Sequence, residues 1–174
     1  MLTGDRIPIQ IVDKNDRPTG AASIDEARQK GLIHRIVRVM VEDAEGRILL
    51  QKRNATRDTY PNCWDNSAAG HVDEGESYEQ AAVRELREEI GIKGFPLEEI
   101  GAYRTNRVHN GLTLNRFNRV YKVTVPNGTA FKIQEEEVAA AKWFSADEVR
   151  RLVSGKPHDV SDGLIEVVNK FYSR

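Results

Sequence analysis

Glu85, Glu88 and Glu89 lie within the run RELREE that begins at Arg84. At about 100° per residue, carboxylates at those spacings share an arc of roughly 100° on one helix face. Like charges so placed repel and weaken an isolated helix, so the cluster calls for a counter-charge. A hard divalent cation such as Mg²⁺ or Mn²⁺, which takes oxygen ligands and keeps part of its water, meets that demand. A solvated acidic helix face is the ordinary alternative. What argues against it is the register of the flanking residues, Gly70, Glu76, Arg84, Gly91 and the apolar Leu86 and Ile92. The pattern is G, five residues, E, seven residues, then R-E-apolar-x-E-E-x-G-apolar. A chance match in a chain of this length has a frequency on the order of 10⁻⁷.

These residues need an element to carry them, and the local sequence supplies one. Ser77 with Gln80 three residues on is a capping-box start, and Gly91 is a left-handed stop. Val83, Leu86 and Ile90 fall on an arc beside the glutamates and are expected to dock on a sheet. That sheet is read from the remaining segments. Residues 7–13 alternate as a strand leading into a turn at Lys14 to Pro18. Ser23 to Lys30 is a short helix with Gly31 as its stop. His34 to Val41 and Arg47 to Arg53 are strands joined by a turn around Ala44-Glu45-Gly46. Asn54 to Cys63 is a polar loop, and Trp64 to Gly70 a strand delivering the chain to the acidic helix. Leu97 to Arg107 and Leu112 to Val125 flank Asn110-Gly111, a strong hairpin signal. Lys142 to Phe144 is a last short strand. Ser145 to Val153 and Ser161 to Tyr172 close the chain as helices. Strands on both sides of one helix, with helices at the end, define an α/β layered domain.

The 174 residues fit a single domain, with residues 1–33 as a hairpin and short-helix extension, 70–92 as the glutamate segment and 145–174 as the terminal helices. With 26 basic against 27 acidic residues the net charge is −1, so no global field points to nucleic acid or a membrane surface. No apolar run approaches about 18 residues, and MLTGDRIPIQ lacks the apolar core of a secretory signal. Cys63 is the lone cysteine, which removes any intramolecular disulfide. A reducing, cytoplasmic compartment is the simplest expectation.

The motif from Gly70 to Ile92 resembles the Nudix box at every defined position, and the element order is similar to the Nudix fold, an α-β-α sandwich around a mixed sheet. The likeness extends further. VDKNDRPTGAAS, GLIHR, ILLQKR, YPNCWDNSAAGHV and the late WFSADEV resemble the Nudix branch related to type I isopentenyl diphosphate isomerases. In those isomerases a catalytic cysteine precedes the glycine of the GH pair, where this chain has Ala69. Cys63 is out of register for that role and reads as a packing residue. His34 and His71 match two metal-site histidines of the isomerases, but Ala27 stands at another such place. Asn115 to Asn118 replaces the downstream acidic pair. The box itself is degraded in the isomerases and intact here, so the balance favours a hydrolase.

The resemblance implies hydrolysis of a nucleoside diphosphate linked to another group, X, with Mg²⁺ or Mn²⁺ as cofactor. It implies Glu85, Glu88, Glu89 and the carbonyl of Ala69 as metal ligands, with Glu76 and Arg84 aligning the carboxylates. The base is Glu85 or a glutamate of Gln134-Glu135-Glu136-Glu137. Glu136 or Glu135 is placed ahead of Glu137, which reads as the start of the segment leading to Trp143. Arg53, Arg57 and Lys52 follow a strand end and are candidates to receive the diphosphate, against an ordinary role as surface charges. Tyr60, Trp64 and Tyr103 are either base-stacking or core aromatics. The expected partner is a small-molecule diphosphate, with a homodimer as in many relatives. Isomerase activity and a non-catalytic binding module are the alternatives.

Overall fold

The computed structural model describes residues 7–173, so the first six residues of the N-terminal extension and Arg174 lie outside the described residues. Strand β3 (His34–Asp43) is the spine of a mixed sheet. Along one edge it pairs in parallel with β8 (Leu112–Val125) over its whole length. Along the other it meets, in turn, β1 (Ile9–Val12), β6 (Ala68–His71) and β4 (Ile48–Arg53), all antiparallel. The long β7 (Leu97–His109) pairs with β8 through the Asn110-Gly111 turn, where both residues have positive φ. Strand β9 (Val138–Phe144) and the two-residue β5 (Trp64–Asp65) flank β4. Strand β2 (Pro18–Ala22) completes the N-terminal hairpin with β1.

The two-residue period of β3 explains why both faces are covered. Val37, Val39 and Val41 point into a core shared with Leu86 and Ile90 of helix α2 (Tyr78–Ile90). Met40 points the other way, among Val149 and Val153 of α3 (Ala146–Gly155) and Leu164, Val167 and Val168 of α4 (Asp162–Phe171). Helix α1 (Ile24–Lys30) lies at the end of the sheet where β3 begins, between Ser23 as N-cap and Gly31 at φ 67°. The α-β-α sandwich expected from the sequence is therefore present. The Ser77/Gln80 and Ser145/Glu148 capping boxes form with both hydrogen bonds in place.

Four local expectations change. The segment Trp64 to Gly70 breaks into β5 and β6, because Asn66 and Ser67 turn their side chains onto Asp65 and Leu49. The strand before α3 starts at Val138, four residues earlier than Lys142, held by the β4 edge. Strand β1 is the shorter segment Ile9–Val12. Val83 does not dock on the sheet and is 44% exposed. The buried arc of α2 runs through Tyr78, Ala81, Ala82, Leu86, Glu89 and Ile90 instead. The helix is thus rolled so that a glutamate, not Val83, meets the sheet, and that roll creates the site.

Candidate functional site

Glu89 is only 3% exposed, beneath the sheet. Its Oε2 accepts from Gln51 Nε2 at 2.6 Å and from the Ala69 backbone N–H at 3.0 Å. Glu85, one turn earlier, lies under Gly70. A Cβ at position 70 would stand 2.0 Å from Glu85 Oε1, so only glycine leaves room for that carboxylate. Register supplies the reason for both contacts. Ala68 and Gly70 of β6 oppose Val39 and Val37, whose side chains face α2. The N–H of Ala69 points off the free edge of β6, because the strand pairs only with β3.

Arg84 fixes this geometry. It grips Glu76 through both Nε and Nη2 at 2.9 Å, reaches the His71 carbonyl at 2.9 Å and pairs with Glu85 Oε1 at 2.7 Å. Glu76 also accepts from the Asp73 N–H at 3.0 Å. One guanidinium therefore ties the loop after β6 to α2. Glu88 differs from its two neighbours. Its side chain is 45% exposed and lies 3.5 Å from Arg84 and 3.9 Å from Arg87. Among the described residues no three acidic or imidazole groups converge on one point. Glu89 is buried, Glu85 is half-buried beside it, and Glu88 stands at the rim.

Burial pushes the Glu85 carboxyl up to about 7, with Glu137 and Glu88 adding to the rise and Arg84 opposing it. Glu89 is raised well above the ordinary carboxylate range by burial and by the charge of Glu85, while the Ala69 N–H and Gln51 oppose the rise. Two anions forced together in a place of low dielectric hold on to protons unless a cation replaces them. The donors are all oxygen, the set that Mg²⁺ and Mn²⁺ prefer, so these residues fit such an ion.

Glu137, in the turn before β9, is the glutamate of its run that reaches this cleft, with Gln134 beside it. It lines the cleft with Glu85, Glu88, Arg84 and Arg57, and its charge bears on Glu85 and Glu89. It also pairs with Arg57 at 2.8 Å. Glu136 lines a neighbouring pocket with Arg28, Arg53 and Arg57, and Glu135 opens onto the outer side with Arg87. The sequence put Glu136 and Glu135 ahead, whereas Glu137 is the one of the three that lines the cleft of Glu85 and Glu88. The run does not continue as strand until Val138, so the turn itself carries Glu137 inward.

Of the three candidate cations, Arg57 and Arg53 line the cavity on the far side of Gly70 and His71. Arg53 is anchored to the Thr59 carbonyl at 2.9 Å and to Asp65 at 3.2 Å. Lys52 goes elsewhere. It reaches over the Trp64 ring, 5.9 Å from its centroid, because strand alternation sends it with Leu50 toward α3 and α4. Trp64 and Tyr103 pack with that outer core, while Tyr60 lines the cavity beside Asp162. Cys63 is buried, with its thiol toward the His158 carbonyl. His34 is fully buried and stacks on His71 at 5.4 Å between centroids. Burial first, helped by Arg116 and Arg28, brings His34 down to about 4, so it is neutral. Sequence reasoning passed over Gln51, Arg28, Arg38 and Arg116. Of these, the charged residues in the apolar alternation of β3 and β8 were the one available signal.

A carboxylate helix thus lies under a mixed sheet against a glycine-walled strand, with arginines on the other side of that strand. The NUDIX domain model matches residues 32–164, and the chain belongs to the Nudix family. By class it is a Nudix pyrophosphohydrolase. It is 37% identical over 172 residues to an uncharacterized Nudix hydrolase of Streptomyces coelicolor, covering 94% of this chain and 87% of the relative. It is also 34% identical over 165 residues to an isopentenyl-diphosphate Delta-isomerase of Nocardia farcinica, covering 93% of each. A crystal structure of a Deinococcus radiodurans protein superposes with a TM-score of 0.77 at 22% identity, covering 95% of this chain and 99% of that one. Among the described residues no helix is long and apolar enough to cross a membrane.

Proposed function

We propose that the chain is a divalent-metal-dependent hydrolase that cleaves the diphosphate linkage of a nucleoside diphosphate joined to a further group, X. The observation that carries this reading is the pairing of half-buried Glu85, seated under Gly70 and held by Arg84, with buried Glu89, held by Gln51 and the Ala69 N–H. Mg²⁺ or Mn²⁺ bound there would neutralise the phosphoryl oxygens and make a bound water more acidic. Glu85, Glu89 and, at the rim, Glu88 would hold it. The Ala69 carbonyl is a further ligand in this reading: in an extended strand the N–H and C=O of one residue point to the same edge, and the Ala69 N–H points to the free one.

The chain's own groups do the rest. Arg84 and Glu76 act as positioning residues, since they touch the carboxylates and not the reacting phosphorus. Arg57 receives the diphosphate at the junction of the two halves of the cleft, and Arg53 backs it. Glu137 takes the proton from the attacking water, and its pairing with Arg57 holds it poised between the phosphate and the carboxylates. This assignment replaces Glu136.

Isomerase chemistry is the second reading, favoured by the Nocardia farcinica relative. Against it stand Ala69 at the place of the isomerase cysteine and Cys63 facing His158. Incubation with isopentenyl diphosphate decides between them: no dimethylallyl isomer is expected, and its formation would overturn the assignment. The hydrolase reading is tested by a phosphate-release screen over diphosphate-linked metabolites with Mg²⁺ and Mn²⁺. Cleavage of at least one, abolished by EDTA, is expected; tight binding without cleavage across the panel would instead make the chain a binding module.

A further inference from the structure

Five arginines, Arg28, Arg38, Arg53, Arg57 and Arg116, wall a small cavity of about 60 Å³ on the side of β6 away from α2, with Asp65 and Asp162 as the acidic lining among the described residues. Three are satisfied internally. Arg53 holds Asp65 and Thr59, Arg57 holds Glu137, and Arg38 donates to Asn118 at 3.1 Å. Asp65 is also engaged by Ser161 at 2.7 Å, which leaves little of it for any other cation.

Arg28 and Arg116 are different. Arg28 approaches Asp58 only at 3.7 Å, and its Nε is buried without a hydrogen-bond partner. Arg116 is 7% exposed, with no carboxylate in ion-pairing distance among the described residues, and its Nε is likewise buried and unpartnered. Its own neighbours worsen its position: burial and the charges of Arg38 and Arg28 lower its pKa to about 9. A buried guanidinium left unpaired is strongly unfavourable. Burial, missing partners and cationic surroundings are the arrangement that a bound oxyanion would complete, because guanidiniums offer paired donors in a plane matching phosphate or carboxylate oxygens.

We propose that Arg116 and Arg28, backed by Arg38, form a second oxyanion subsite that takes an anionic group on X, separate from the scissile diphosphate. The proposal builds on the hydrolase reading above. The two subsites share β6. Ala68 and Gly70 face the glutamates, while Ala69 and His71, opposite Arg38 and Ile36, face the arginine cavity. A substrate laid across the free edge of β6 places its diphosphate by Glu85, Glu89 and Arg57, and the far end of X against Arg116. Substrates with a phosphomonoester or carboxylate on X are therefore preferred over those with a neutral X.

The test is calorimetric titration of the full chain with inorganic phosphate and, separately, with acetate, in EDTA so that the carboxylate side holds no metal. Saturable binding of either anion is expected, and the anion that binds more tightly identifies the group. Arg116→Met should weaken that binding at least tenfold, Arg116→Lys less, and Glu89→Gln not at all. If Arg116→Met does not fold, Arg28→Met takes its place with the same expectation. No saturable binding of either anion to the wild-type chain, or undiminished binding to the arginine variants, would overturn the subsite. Such a failure with turnover still lost in Glu89→Gln would leave the hydrolase reading intact.

Discussion

Strand β6 separates two clusters of like charge that the fold treats in opposite ways. On the α2 side buried Glu89 and half-buried Glu85 are richly tethered, by Arg84, Gln51 and the Ala69 N–H. On the other side Arg116 and Arg28 are buried with donors left over. Under the proposed function the first cluster would be a set of metal ligands positioned in advance, and its strain is carried by raised carboxyl pKa values. The second is a set of donors waiting for acceptors. Catalysis needs geometry fixed to fractions of an ångström around the reacting atom, whereas recognition of a remote group tolerates looser guanidiniums. The contrast teaches that tethering, not charge alone, separates the reacting half of the cleft from the selecting half.

The strongest way to break the comparison is to remove charge from the tethered side. Glu89→Gln should lower kcat by on the order of 10³-fold while the protein remains folded, because the lost charge stabilisation is felt in the transition state and carboxylate repulsion is relieved. Steady-state kinetics and circular dichroism check it, and wild-type turnover would refute the site. Next, Glu137→Gln should cost about 10²–10⁴-fold in kcat as loss of a general base, with Glu136→Gln within a few-fold of wild type. Equal losses in the two variants would dissolve the distinction drawn between them.

That pair of variants marks how far the sequence could be read. The box, its two caps and the layered fold were legible because each rests on local spacing: Ser77 with Gln80, Gly91, and the 3.6 and 2.0 periods. The roll of α2 was not, since it depends on Ala81 and Ala82 packing against a sheet face that the helix sequence does not encode, and so Val83 was misplaced and Glu89 under-read. Glu137 reads in sequence as the start of the segment leading to Trp143, and its place in the cleft and its pairing with Arg57 are visible in the structure alone. The five arginines of the cavity sit on α1, β3, β4, the loop after β4 and β8, up to 88 positions apart in sequence, and no spacing rule joins them.

A smaller effect probes the tether itself. Gly70→Ala should push Glu85 off its seat, since the new methyl would lie 2.0 Å from its Oε1. The carboxylate is the free end of a side chain and can swing aside, so the protein should fold. The swing breaks the 2.7 Å contact with Arg84, and a misplacement of about 1 Å at a reacting centre is worth roughly 10²-fold in rate. Kinetics at saturating Mn²⁺ provide the check, and an unchanged kcat would mean that Gly70 serves only the turn of the chain.

The least of the effects is in stability, and its sign follows from which state holds the protons. In metal-free protein Glu85 has a pKa of about 7 and Glu89 one raised well above the usual range, so the folded chain keeps protons that the unfolded chain has already released near pH 4.5. Stability from this source is complete below the unfolded pKa and is lost as pH rises through the folded values. His34 works in the opposite sense, since its folded pKa of about 4 lies below 6.5, but its influence ends once pH exceeds 6.5. Between pH 6.5 and 8 the glutamates act without that opposition. In EDTA the melting temperature should therefore fall across that window by several degrees, roughly 2–4 °C for each kcal/mol lost. Glu89→Gln should flatten the slope, and saturating Mn²⁺ should reverse it, because the ion binds the deprotonated pair. The arginine variants should leave the slope nearly as it is, since even Arg116, brought down to about 9, keeps most of its charge up to pH 8. A slope that vanished in Arg116→Met and survived in Glu89→Gln would mean that the strained charges sit on the other side of β6.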